Sequence, residues 1–186
     1  MTKYLELEVR LKDILPDVWR RFRISSDATL ADLHAALQVL CGWDAGCLYE
    51  FRTLGRVLGY GNIGDEHIEP SVAGVRLDDV FRSMGDWCYY LGDYGQVWRQ
   101  IVKLVGVGES AGGRVLVAGA GAFPPLDSRW SWQTWELAFG WDGDKRRMLA
   151  QSARWEIKRF EDWLRWVRWE RDGFDLGAAA KAFDLR

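Results

Sequence analysis

The sequence predicts a single α+β domain: an N-terminal β-hairpin, a helix packed across a sheet, a second hairpin and a C-terminal helical extension. Three observations carry this. Leu5, Leu7, Val9 and Leu11 alternate with Glu6, Glu8, Arg10 and Lys12, the period-two pattern of a strand with one wet face. Leu30, Leu33, Leu37 and Leu40 recur at helical spacing between a capping pair, Thr29 and Asp32, and a terminating Gly42. Ala153, Ile157, Phe160, Leu164 and Val167 repeat the helical rhythm late in the chain.

The elements follow in order. "YLELEVRLK" is the first strand. Pro16 in "ILPD" cannot join a ladder and turns the chain. "VWRRFRI" returns, with Val18, Phe22 and Ile24 on one side. The helix of "LADLHAALQVLC" comes next, with His34 beside its apolar stripe, where it reads as a packed or edge histidine. "CLYEFRT" and "RVLGYG" read as strands. "NIGDEHIEPSVAG" is an exposed loop with a solvated His67, and "VRLDDVFRSMG" a short helical turn. "DWCYYL" and "VWRQIVKLVGV" form the second hairpin around "GDYG". The latter is apolar on both faces, as central strands are. "RVLVA" is a further short strand. "WSWQTWELAFG" and "ARWEIKRFEDWLRWVRWERDG" are helices.

The totals bound the function classes. At 186 residues the chain is close to one domain in length, and 48% hydrophobic residues suffice for a core. A net charge of −2 gives no overall attraction to nucleic acid. Cys41, Cys47 and Cys88 contain no C-x-x-C pair and are odd in number, which argues against a zinc knuckle and a disulfide framework. The start "MTKYLELEVR" is unlike a signal peptide and no 18-residue apolar run exists, so a soluble, cytoplasmic chain is expected.

Five segments in a set order, "LPDVWRRFRI", "TLADLHAALQVLCGW", "LYEF", "LGDYGQVW" and "AFPPLD", resemble the plasmid pRiA ORF-three-like family. Its members are also labelled passenger TnpR-like proteins of mobile elements. The resemblance covers residues 3 to 140 and leaves 141–186 as a Trp/Arg-rich extension. It implies a bacterial, mobile-element-associated protein whose α+β domain has a mixed, curved sheet. The hairpin–helix–strand order is β-grasp-like.

Departures from the family pattern are one-sided. H-L-H-x-F reads Cys47-Leu48-Tyr49-Glu50-Phe51 here, so both histidines are replaced. D-F-G-D-D-W-x-H keeps Asp93, Gly95 and Trp98 but has Gln96, Val97 and Gln100 in place of two acids and a histidine. A-C-P-P-E-D keeps Pro124, Pro125 and Asp127, with Phe123 and Leu126 replacing its Cys and Glu. Residues that shape a fold stay, while ionisable groups become neutral. A multi-histidine site cannot be built from His34 and His67. What remains is a carboxylate set of Glu50, Asp93 and Asp127 that would suit a hard cation, and a Cys-His pair of His34 with Cys41 or Cys47. Buried, inert thiols are the simpler reading of the latter. No catalytic residue, metal or cofactor is assigned.

The positive signal is the tail. Eight of the twelve tryptophans lie at or after Trp130, and Lys145 to Arg171 hold nine Lys/Arg against four Asp/Glu. Trp155, Trp166 and Trp169 cluster opposite the apolar stripe of the last helix, with Trp163 and Arg159 beside them. Trp and Arg dominate protein interfaces. The expected function is therefore non-catalytic binding of a protein partner, which includes self-association, through Trp155, Arg159, Trp163, Trp166 and Trp169. A metal-dependent hydrolase built on the residual carboxylates is the alternative. Nucleic-acid binding by the tail is the second alternative.

Overall fold

The computed structural model describes residues 2–12, 17–43, 49–53, 56–59, 72–92, 98–110, 113–124, 158–159, 162, 165, 170 and 172–184. Seven strands form one sheet: β1 (Thr2–Leu11), β2 (Trp19–Ser25), β3 (Tyr49–Thr53), β4 (Arg56–Gly59), β5 (Trp87–Gly92), β6 (Trp98–Ser110) and β7 (Val115–Ala120). Their order is β4-β3-β5-β6-β1-β2-β7. Helices α1 (Leu30–Cys41), α2 (Leu77–Val80) and α3 (Leu176–Asp184) complete the described elements, with a 3-10 turn at Val72–Gly74. Among the described residues no helix is long and apolar enough to cross a membrane.

The alternation in β1 does what period two requires. Leu5, Leu7, Val9 and Leu11 are buried, while Glu6, Glu8 and Arg10 face the other side. β2 pairs antiparallel with β1, placing Phe22 opposite Leu7 and Ile24 opposite Leu5. On the outer face the same register sets Arg23 opposite Glu6 and Arg21 opposite Glu8, each joined by an ion pair of 2.8 Å.

The expected mixed sheet is antiparallel at every pairing among the described residues. Strand direction depends on which distant segments become neighbours, and no local pattern encodes that. β6 is central, the fourth of seven strands, as expected. Its two faces are not both apolar inside the sheet, however. Trp98, Gln100, Val102 and Leu104 are buried, whereas Arg99 and Lys103 point outward and are exposed.

α1 begins and ends as its sequence dictates. The Thr29 side chain accepts from the Asp32 backbone, and Asp32 accepts from the Thr29 N–H at 2.8 Å, a complete capping box. Gly42 closes the helix at φ 69°, a left-handed conformation that costs a side-chain-bearing residue steric energy. Leu30, Leu33, Ala36 and Leu37 share one core with Leu5, Leu7, Phe22, Phe51, Val102 and Leu104.

α3 lies outside the helices the sequence pattern suggested. Its local signal is Asp175, whose Oδ1 accepts from the Ala178 N–H at 3.0 Å, ahead of an alanine-rich run. It packs on β7 and α1 and buries Phe183 completely, edge-on to Phe22 at 5.7 Å.

Candidate functional site

Of the positions where this chain departs from the family pattern, Tyr49, Gln100 and Phe123 lie among the described residues, and they line the buried side of the sheet beneath and beyond α1 together with Tyr90. β3 supplies Tyr49, β5 Tyr90, β6 Gln100, and the segment after β7 Phe123. Tyr49 stacks on the His34 imidazole at 3.5 Å, with ring planes only 7° apart. Nδ1 of His34 lies 2.9 Å from the Tyr90 hydroxyl, and Gln38 Nε2 donates to that same hydroxyl at 2.6 Å. In strand register Tyr90 sits directly opposite Gln100. The Cys41 thiol contacts Gln100 Oε1 at 3.7 Å, a weak donor to an amide oxygen. Phe123 stands edge-on to Trp43 at 5.9 Å, and the Trp43 indole N–H donates to the Pro124 carbonyl at 2.8 Å.

The result is a continuous buried knot of aromatic and amide groups. His34, Gln38, Tyr90 and Gln100 are all buried, Gln100 completely. Burial pushes the Cys41 thiol well above its ordinary value, opposed only partly by Arg20 and Gln100, and does the same to Cys88. Neither is a thiolate at neutral pH, so neither is a nucleophile. His34 and Cys41 are also seven residues apart on α1, roughly 10 Å along its axis. The pairing of His34 with Cys41 is therefore not formed. Cys47 lies outside the described residues.

Arg20 is the group that sequence reasoning missed. It occupies the inward phase of β2, between Val18 and Phe22, and is 3% exposed. That phase was its available signal, since a charge among inward positions is out of place. Its guanidinium lies 3.4 Å from the Phe174 ring centroid and 4.9 Å from that of Phe123. Nη1 donates to the carbonyls of Trp19 at 2.7 Å and Ala120 at 2.9 Å. Gly119 makes this fit possible: a Cβ there would stand 2.7 Å from Arg20 Cδ. Desolvation lowers the Arg20 pKa to about 10, partly offset by the nearby Cys41. Arg20 Nε, Gln38 Oε1 and Gln100 Nε2 are buried without a hydrogen-bond partner among the described residues.

These facts give a direct expectation for Arg20. Arg20→Met keeps the stem's bulk and removes a poorly solvated charge, so unfolding free energy in urea changes by less than about 1.5 kcal/mol. Arg20→Ala takes the donor from the Trp19 and Ala120 carbonyls just as Arg20→Met does, but also uncovers Phe174 and leaves a cavity, and loses about 2–3 kcal/mol. Equal losses in both variants would mean that charge, not packing, is what Arg20 supplies.

The other sequence-derived positions are placed as follows. Trp98 opens β6 and is 1% exposed. Pro124 is buried and accepts from Trp43. Arg159 is helical and exposed. Glu50 is 4% exposed and ion-paired to Arg52, on the opposite side of β3 from Phe51. Among the described residues no group of three His, Cys, Asp or Glu is arranged to hold a metal ion. Asp93, Gly95, Pro125, Asp127, Trp155, Trp163, Trp166 and Trp169 lie outside the described residues, so the structure neither joins nor separates them.

The sequence profile of the plasmid pRiA4b ORF-3-like proteins matches residues 3–178. The chain belongs to that family. The match runs past residue 140 to the start of α3, so the pRiA4b ORF-3-like signature includes the Phe174 that covers Arg20. A crystal structure of a protein of unknown function from Methanosarcina mazei Go1 is similar in fold, with a TM-score of 0.67 and 24% identity over 95% of this chain and 96% of that one. No curated protein matches the chain.

Proposed function

We propose that this pRiA4b ORF-3-like protein is a non-catalytic interaction protein that binds a protein partner, a second copy of itself included, through its Trp/Arg-rich segment after residue 140. The observation that carries the reading is the state of the knot beneath α1. Where the family pattern has histidine or cysteine, this chain has Tyr49 stacked on His34, Gln100 fully buried, and Phe123 packed on Trp43. Proton transfer or nucleophilic attack needs groups that reach a substrate, and these groups reach one another. Glu50, already tied to Arg52, gives the residual carboxylate alternative little support.

The partner surface we assign to Trp155, Arg159, Trp163, Trp166 and Trp169. Support comes from the tail's composition and from its outward cations: Arg159 is exposed, and the Arg165 side chain is 72% exposed beside its ion-pair partner Asp162. Within this reading α1 lies across one face of the sheet in a β-grasp-like hairpin–helix–strand order, and 141–186 is a helical extension of one domain. Trp166→Ala combined with Trp169→Ala should abolish partner capture in pull-downs from the native host while the circular dichroism spectrum and melting temperature are kept. Unchanged capture by a folded double variant would remove the proposal.

A further inference from the structure

The sheet face opposite α1 carries a second surface, independent of the tail. Its centre is an open concavity of about 660 Å³ lined by Trp87, Tyr89, Ile101, Lys103, Arg10 and Glu8. Strand register explains the grouping: Lys103 lies between Glu8 and Trp87, and Ile101 between Arg10 and Tyr89. Trp87 is 49% exposed, and Tyr89 buttresses it edge-to-face at 4.9 Å, which leaves an indole face open to solvent. An indole held in the middle of a sheet, half in water, is an unfilled stacking platform.

The charges around it select the occupant. Both Glu8 carboxylate oxygens accept from arginines, one from Arg21 at 2.8 Å and one from Arg10 at 3.1 Å. Burial alone would raise the Glu8 pKa, but those bonds hold it below the ordinary carboxylate value. The one acid of the concavity is thus neutralised from both sides. Lys103 makes no ion pair among the described residues and stands exposed at the rim. Among the described residues of the outer face, six cations (Arg10, Arg21, Arg23, Arg52, Arg99, Lys103) face four carboxylates (Glu6, Glu8, Glu50 and the Asp17 ion-paired to Arg10), so 6 − 4 gives +2 where the entire chain carries −2. Charges screen one another beyond about 8 Å at physiological salt, so this local excess, not the chain's total, is what a ligand on the face meets.

An accessible aromatic plane set in a cationic, open antiparallel sheet fits a single nucleic-acid strand, in which bases are free to stack and each linkage carries one negative charge. We propose that this face binds single-stranded nucleic acid, with a base stacked on Trp87 and the flanking phosphates against Lys103 and Arg10. A duplex keeps its bases stacked internally and cannot use the indole. An acidic peptide satisfies Lys103 but leaves Trp87 without its partner.

The test is fluorescence anisotropy of labelled single-stranded DNA and RNA oligonucleotides with the full chain, at about 50 mM and about 200 mM salt. Saturable binding that weakens with salt is expected for one or both strands. Trp87→Ala should weaken it roughly fivefold to a hundredfold, the range set by loss of one stacked base. Lys103→Glu should weaken it and lower the salt slope by about one. Trp166→Ala with Trp169→Ala should leave it unchanged, which separates this surface from the tail. Absence of saturable binding, equal affinity for the matching duplex, or full affinity in a folded Trp87→Ala variant would each overturn the proposal. So would binding of poly-glutamate in preference to the oligonucleotides. Should Trp87→Ala fail to fold, Lys103→Glu decides, since its side chain is already in water.

Discussion

Phe183→Ala should lower the unfolding free energy by about 4 kcal/mol, among the largest losses available from a single truncation in this protein. Phe183 is fully buried, although it is only three positions before Arg186. It meets Phe22 of β2 edge-on, and the Arg114 guanidinium sits 5.2 Å from its ring centroid. It is also the buried residue of a nine-residue helix. A helix that short has no stability of its own in water, so α3 exists because Phe183, Ala179 and Ala180 pack on the core. Removing the ring therefore takes away its own buried area and the reason for the helix. The urea midpoint should fall, and amide hydrogens of 177–184 should exchange at rates near those of an unfolded peptide while those of β1 and β6 stay protected. A loss below about 1 kcal/mol, with α3 still protected, would show that the helix is held by something other than this ring.

How much of this was legible depends on whether the information is local. Both ends of α1 are. Thr29 and Asp32 form their box three residues apart, and Gly42 takes the left-handed turn expected of it. The inward phase of β1 is likewise legible, because every second residue is apolar for four repeats. What was not legible is relational. Whether β6 pairs with β1 or lies parallel to another strand depends on segments nearly a hundred residues apart. Val97, Ile101 and Val105, opposing Trp98, Val102 and Leu104, make β6 read as apolar on both faces. In the sheet Ile101 keeps company with Arg99 and Lys103, and that side is the wet one.

The candidate site divides the same way. The replaced family positions Tyr49, Gln100 and Phe123 could be named from the sequence as a pattern of lost ionisable groups. Their surroundings could not, because Tyr49 and Gln100 meet α1 at His34 and Cys41, and Phe123 meets Trp43 and Arg20. Arg20 shows the opposite failure. Its inward phase was visible in "VWRRFRI", but in a run of three arginines within four residues the one that points inward looks like its neighbours. Only the pairing of β2 with β7, and the arrival of Phe174, makes a buried guanidinium tolerable there.

The same buried groups set the alkaline limit of the fold. In the native state Cys41 and Cys88 hold their protons far above the ordinary thiol value of 9.0, because burial disfavours the thiolate. The unfolded chain releases both near pH 9. Between these values the unfolded state binds fewer protons than the native one, so stability falls as pH rises. Each thiol costs about 1.4 kcal/mol at pH 10 and about 2.7 at pH 11. Arg20 acts in the other direction. Its folded pKa, lowered to about 10 by desolvation, lies below its ordinary 12.5, so above pH 10 the native state sheds a proton that the unfolded chain retains. That returns about 1.4 kcal/mol by pH 11. The three groups together should cost the protein about 4 kcal/mol between pH 8 and pH 11, with the loss beginning at pH 9. Urea titrations across that range measure it directly. In a Cys41→Ala, Cys88→Ala variant the decline should be replaced by the rise of about 1.4 kcal/mol that Arg20 supplies by pH 11, whatever the variant's stability at neutral pH. The same slope in both proteins would place the alkaline sensitivity in groups other than the two buried thiols.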